Sequence, residues 1–327
     1  FYQLYHAVDG NLIQVPGLPL MYDYEFFPQT VRLSLYVHFI READGIITSG
    51  TTAFEAEALT AWKSWQTSLG KELYILGPLL PIGDENTDSG TLAKENEMTL
   101  SDKGSEIEEF LEKALREHGK HSLIYISFGS AHWPDTIQLS GFIDVLIEQR
   151  IPFILAYASR MAKIPDRITE KVQETGLGLL STWAPQQLIL CHKAFKATGW
   201  FVSHCGQNSV TESLAEGVPI IGWPITADQP YNAALISITL NIGYQLTEAR
   251  TGDAGLRALK SGVQPAGTVE ALLREIRYIL EKARGEDGKL KRQNAHTIKI
   301  KMKAAWDDQG EAAVELRKLL SKVFSSP

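Results

Sequence analysis

At about 150 residues per domain, a chain of 327 residues suggests two domains, each large enough to bury its own core. Apolar residues make up 44% and charged residues 22%, so the chain is globular rather than disordered. A net charge of −7 argues against a general binder of nucleic acid or anionic membrane, because counterion release needs a basic surface; an anionic ligand must be held by local groups.

Cys191 and Cys205 are too few for a disulfide framework, which points to a reducing, cytoplasmic setting. No stretch approaches the roughly 20 apolar residues that a membrane helix needs. The opening FYQLYHAVDGNLIQVPGLPL carries no initiator methionine and no signal-peptide pattern, and reads as the continuation of something larger.

The first predicted strand is ADGIITS, residues 43–49, followed by a helix over 52–65 and a second strand, LYILGPLLP, over 73–81. The composition then turns polar, acidic and rich in turn formers over 82–105, which we read as a linker between a first unit, 1–81, and a second, 106–288. Helical spacing resumes after Ser105, a candidate cap with Glu108 three positions on, and stops at Gly119. From residue 122 onward, strand, loop and helix repeat: SLIYISF, TIQLSGFIDVLIEQ, PFILAYA, LGLLSTW, QQLILCH, GWFVSH, SVTESLAE, VPIIGWP and VEALLREIRYIL. This alternation predicts an α/β fold with a doubly wound parallel sheet. Residues 289–327 form a helical tail whose basic stretch reads as a solvated face.

The most informative stretch runs from Trp183 to Asn232. GWFVSH is a strand, CGQN a tight turn where Gly206 tolerates a positive φ, and SVTESLAE a helix ended by Gly217. Such a turn delivers a helix N-terminus to the carboxyl edge of a parallel sheet, where unpaired N–H groups favour phosphate by about 0.3–1 kcal/mol, up to ~2 when partly buried. Asn208 and Ser209 are the candidate donors, and His204 can give an N–H to a second phosphate oxygen. SFGS is a second strand-to-glycine turn, bringing Gly129 and Ser130 near the same edge.

Glu212 has two readings: it completes an S-x-x-E box that caps its own helix, or it accepts hydrogen bonds from ribose hydroxyls. Trp183 is either an ordinary core residue or a platform under a base, with the Ala184 main chain and the Gln186 amide at the base edge. Asp228 and Gln229 follow the strand VPIIGW and offer groups suited to a polyhydroxylated sugar.

Read in order, W-A-P-Q, H-C-G-x-N-S-x-x-E, G-V-P and D-Q resemble the nucleotide-sugar signature of plant and fungal UDP-glycosyltransferases. YISFGS and ILGPLLP extend the resemblance outward. It implies the GT-B fold of two facing Rossmann-like domains, here a complete donor domain and a partial acceptor-side domain with the tail packing back on the latter. Trp183 would stack on uracil, Ala184 and Gln186 would touch base and ribose, and Glu212 would hold the ribose. Ser130, His204, Asn208 and Ser209 would hold the diphosphate, and Asp228 and Gln229 the sugar, with glucose the expected hexose. Gln207 stands where plant members commonly carry Trp, which points to fungal or microbial relatives, and the segment between His192 and His204 is longer than the plant pattern.

The implied reaction is metal-independent inversion at the anomeric carbon, with a small lipophilic or phenolic hydroxyl compound as acceptor. The family's catalytic His and its Asp partner are not placed on this sequence; neither His6 nor His38 follows an N-terminal strand in the family's context. The rival reading is a catalytically incomplete nucleotide-sugar-binding subunit that needs the missing N-terminal part as partner. No strand is followed by G-x-G-x-x-G, against a dehydrogenase, and no G-x-S-x-G occurs, against a serine hydrolase. Cys191, His192, His204 and Cys205 are metal-ligand types, but two adjacent pairs on strand-like segments point to opposite faces.

Overall fold

The computed structural model describes residues 8–29, 40, 42–80, 103–191 and 197–324. Residues 82–102 of the linker expected over 82–105, together with His6, His38 and His192, lie outside the described residues.

The second unit is built on a parallel sheet of β5 (Leu123–Ser127), β6 (Phe153–Ala156), β7 (Gly178–Ser181), β8 (Thr198–Ser203), β9 (Ile220–Gly222) and β10 (Gly243–Gln245). Its spatial order is β10-β9-β8-β5-β6-β7. The chain winds outward from β5 to β7, then returns to the other side of β5 and winds out again. The order therefore reverses between β5 and β8, whose ends pair Ser127 with Ser203. Ligands bind at such a reversal because the loops leaving the two strands diverge and open a crevice.

Both faces of the sheet are covered, as the continuous apolar strands require. Leu123 and Tyr125 of β5 join Phe201 in a core roofed by α2 (Gly104–His118), α5 (Gln186–Cys191), α6 (Gln207–Ala215) and α10 (Glu286–Ala304). Ile124, Ile126 and Phe128 point the other way, with Trp200 and Val202, into a core covered by α3 (Thr136–Glu148) and α9 (Val269–Arg284). The predicted helix after the linker starts two residues earlier than expected, at Gly104 rather than after Ser105. Lys103 stands at the N-cap and no side chain caps the helix, so Ser105 lies inside the first turn and its box with Glu108 does not form. Gly119, at φ 88°, ends it by donating to the Leu115 carbonyl at 2.9 Å.

In the first unit, β3 (Gly45–Thr48) and β4 (Glu72–Ile75) pair in parallel around α1 (Thr52–Ser68). The second predicted strand is thus shorter than its apolar run, since pairing with β3 ends at Ile75. Ahead of them β1 (Leu12–Ile13) and β2 (Met21–Tyr22) form a hairpin. Arg250, 2% exposed, ties this opening segment to the second unit by donating to the Glu25 carbonyl at 2.8 Å. The closing helix α11 (Glu311–Phe324) lies against the first unit, with Lys63 on Glu315 at 2.7 Å and the Thr52 hydroxyl on Glu311 at 2.5 Å. The Trp306 indole donates to the Pro78 carbonyl at 2.7 Å.

Candidate functional site

The turns leaving β5 and β8 meet at the reversal point. Gly129 follows β5 at φ 69°, and a Cβ there would stand 3.1 Å from Cε1 and Nε2 of His204. A Cβ at Gly206 would likewise stand 2.6 Å from His204 Nε2. The imidazole thus lies against two glycines whose missing side chains permit its approach. Gly206 does not use the positive φ it tolerates: it has φ −63°, while its neighbour Cys205 has φ 65°. The left-handed step is secured at Cys205, whose N–H donates to the Ser203 hydroxyl at 3.1 Å and whose carbonyl accepts from the Asn232 amide at 2.9 Å. Glycine is needed at 206 for space, not for conformation.

The Nδ1 of His204 is buried. Burial, with His132 nearby, lowers the ring's pKa to about 4, against a backbone contact with Ser127. The ring is therefore neutral near pH 7 and can donate one N–H to an anion while carrying no charge of its own. Helix α6 begins directly after this turn, with Gly206 as N-cap and no side-chain cap. The Gln207 N–H is taken by Asp228 Oδ2 at 2.8 Å. The next amides, those of exposed Asn208 and buried Ser209, belong to the first turn, which helical geometry leaves without intrahelical partners. Ser130 is exposed beside Gly129.

Trp183 is 38% exposed rather than part of either core, while Ala184 behind it is buried at 7%. The Ser181 hydroxyl donates to the Trp183 carbonyl at 2.5 Å and so holds the turn that presents the indole. Gln186 opens α5 and donates from its carboxamide to Glu212 Oε2, and to the Ser209 hydroxyl at 3.4 Å. The Tyr125 hydroxyl donates to its carbonyl oxygen at 3.3 Å. Glu212 therefore does not cap its own helix. Its carboxyl, raised in pKa by burial and restrained by hydrogen bonds from Gln186 and Gln187, faces α5.

Asp228 is exposed, and its Oδ2 also accepts from the Asn232 amide at 3.0 Å. Gln229 differs from what its neighbour suggests. It is 5% exposed, and its Oε1 accepts the N–H groups of Ile225 and Thr226, both at 2.9 Å. Its carboxamide braces the loop that carries Asp228, leaving only Nε2 for another partner.

One residue that sequence reasoning missed completes this end of the cleft. Glu55, on α1 of the first unit, accepts from Gln207 Nε2 at 3.0 Å. Burial pushes its carboxyl up to about 7, opposed by the Gln207 hydrogen bond and aided by the charge of Asp228. The two residues are 152 positions apart and no local pattern links them; only the glycine at 50, where a Cβ would stand 2.6 Å from Glu55 Oε1, hints at a carboxyl needing room. Among the described residues no three His, Cys, Asp or Glu side chains are grouped so as to hold a metal ion. Among them, too, no helix is long and apolar enough to cross a membrane.

Known proteins resemble this chain in sequence and in fold. The chain is 35% identical over 325 residues to the UDP-glycosyltransferase eriJ of Hericium erinaceus, a match that covers 96% of this chain and 62% of that protein. It is 31% identical over 223 residues to crocetin glucosyltransferase 3 of Crocus sativus, covering 65% of this chain and 43% of that one. The chain thus spans less than two thirds of the length of these relatives. Among solved structures it superposes on TcCGT1 in complex with UDP with a TM-score of 0.69 at 23% identity, covering 97% of this chain and 66% of that one. On Phytolacca americana UGT2 complexed with UDP-2fluoro-glucose and pterostilbene the TM-score is 0.66 at 21% identity, covering 98% and 67%. These structures share its GT-B fold. The family profile described as UDP-glucoronosyl and UDP-glucosyl transferase matches residues 86–263, from the linker through the His204 turn and Asp228. With a reversal-point cleft of this composition and that match over more than half its length, the chain belongs to the UDP-glucoronosyl and UDP-glucosyl transferase family.

Proposed function

We propose that the cleft binds a UDP-hexose, with glucose as the sugar, and serves its transfer with inversion to a hydroxyl of a small lipophilic or phenolic acceptor. The observation that carries this reading is the meeting of neutral His204 with the first-turn amides of α6 where β5 and β8 end. A diphosphate seated there accepts hydrogen bonds from Asn208, Ser209, Ser130 and the imidazole, and the same donors stabilise the charge that grows on it as the glycosidic bond breaks. Trp183 supplies the platform for uracil, the Ala184 main chain and Gln186 lie at the base and ribose, and Glu212 accepts from the ribose. Asp228 takes sugar hydroxyls through its remaining oxygen, and the reaction needs no metal.

The acceptor hydroxyl, deprotonated by a base, attacks the anomeric carbon from the face opposite UDP. The resemblance puts that base early in the acceptor-side domain, outside the residues assigned here. A second reading is a nucleotide-sugar-binding subunit that turns over only with a supplied N-terminal part. A cytoplasmic site of action is supported by Cys191 and Cys205, which form no disulfide.

Calorimetric titration with UDP and with UDP-glucose tests the assignment: both evolve heat on binding, and silence with both overturns it. Product formation measured with and without an added N-terminal part then separates the two readings, because a missing general base costs about 10²–10⁴-fold in rate.

A further inference from the structure

The residue that departs from the plant pattern, Gln207, joins the two walls of the cleft. Its backbone N–H holds Asp228 Oδ2 at 2.8 Å, and its side-chain amide holds Glu55 Oε1 at 3.0 Å from the first unit. Two carboxyl groups, one on each wall, are thereby fixed to a single residue at the start of α6. The first unit is shaped for this. The backbone of α1 leaves helical geometry at Glu55, with φ −127° and ψ 44°. Gly50 leaves open the space beside Oε1 that a Cβ would close.

Among the described residues no Lys, Arg or His forms an ion pair with Glu55. In its ionised form a partly buried carboxyl beside another acid and without a cation opposes folding, and the hydrogen bond from Gln207 does not by itself account for its being there. Ligand selection does. A neutral hexose offers hydroxyl donors to both carboxylates, whereas a uronic acid would bring a third negative charge between them, and like charges across an interface cost several kcal/mol.

We propose that Glu55 is a selectivity residue of the donor site, which together with Asp228 forms a two-walled acidic clamp, ordered by Gln207, that admits neutral UDP-hexoses and excludes UDP-uronic acids. This rests on the donor-binding reading above. The family description embraces both glucosyl and glucuronosyl transfer, so the choice between them has to be made by residues of the individual chain.

The test compares the affinities of UDP, UDP-glucose and UDP-glucuronate for the full chain and for its Glu55→Gln, Glu55→Ala and Glu55→Asp variants at pH 8, where Glu55 is ionised. The unaltered chain prefers UDP-glucose to UDP-glucuronate by at least about tenfold, as a repulsion of this kind implies. Glu55→Gln, close in shape and without the charge, narrows that preference about fivefold or more, with Glu55→Ala behaving alike and Glu55→Asp restoring it. UDP, which lacks the sugar, binds every variant as it binds the unaltered chain and reports that each is folded. If UDP does not bind the unaltered chain, the donor-binding reading fails. If UDP binds throughout and Glu55→Gln leaves the sugar preference unchanged, the clamp is refuted while donor binding stands.

Discussion

A Cβ on Gly206 would sit 2.6 Å from Nε2 of His204, closer than real side-chain carbons come to a ring nitrogen. With φ at −63°, alanine there is not strained in its backbone. Gly206→Ala therefore displaces the imidazole without disturbing the chain, and UDP affinity falls while the thermal midpoint changes little. Gly129→Ala differs: at φ 69° it adds backbone strain of about 1–2 kcal/mol and also crowds His204, so stability and UDP affinity fall together. Calorimetry of both variants with parallel thermal melts separates the two effects.

Trp183→Ala lowers UDP affinity by about 1–3 kcal/mol, the contribution of an aromatic platform under one base. Because the indole is 38% exposed, little core packing is lost and the thermal midpoint stays close to that of the unaltered chain. A large drop in midpoint with unchanged affinity would return Trp183 to a structural role.

Gln229→Ala removes the acceptor for the buried Ile225 and Thr226 amides and costs about 1–3 kcal/mol of stability in denaturant unfolding. If Gln229 instead served the sugar alone, the variant would lose UDP-glucose affinity with no change in stability.

The His204 ring titrates at about 4 when folded, below its usual range. When the chain unfolds between pH 6.5 and 4, the ring takes up a proton that the folded ring does not hold. Its contribution to stability is therefore fully present above about pH 6.5 and is lost as pH falls, at a limiting slope of about 1.4 kcal/mol per pH unit. His204→Asn removes this contribution, and its thermal midpoint declines less between pH 7 and pH 5 than that of the unaltered chain. Equal declines would show that the ring is not protected from protonation.

The alternation of apolar strands and helices was legible in the linear order of residues, because each strand and each amphipathic helix carries its own periodicity. So was the cluster from Trp183 to Asp228, since a strand, a turn and a helix start are contiguous. Glu212 shows where this stops: its spacing from Ser209 fits a cap as well as a ribose contact, and the carboxyl faces Gln186 only because α5 and α6 pack side by side.

The composition and local order of the chain determined by themselves that it forms a parallel α/β sheet with a tight turn and a helix start at its carboxyl edge, because hydrophobic period and turn chemistry act over a few residues. Tertiary structure alone decided that Cys205 rather than Gly206 takes the left-handed step, that Gln229 turns inward to brace a loop, and that Glu55 crosses the cleft to Gln207. Those outcomes depend on which atoms distant segments bring within 3 Å of one another, a distance that separation along the chain does not encode.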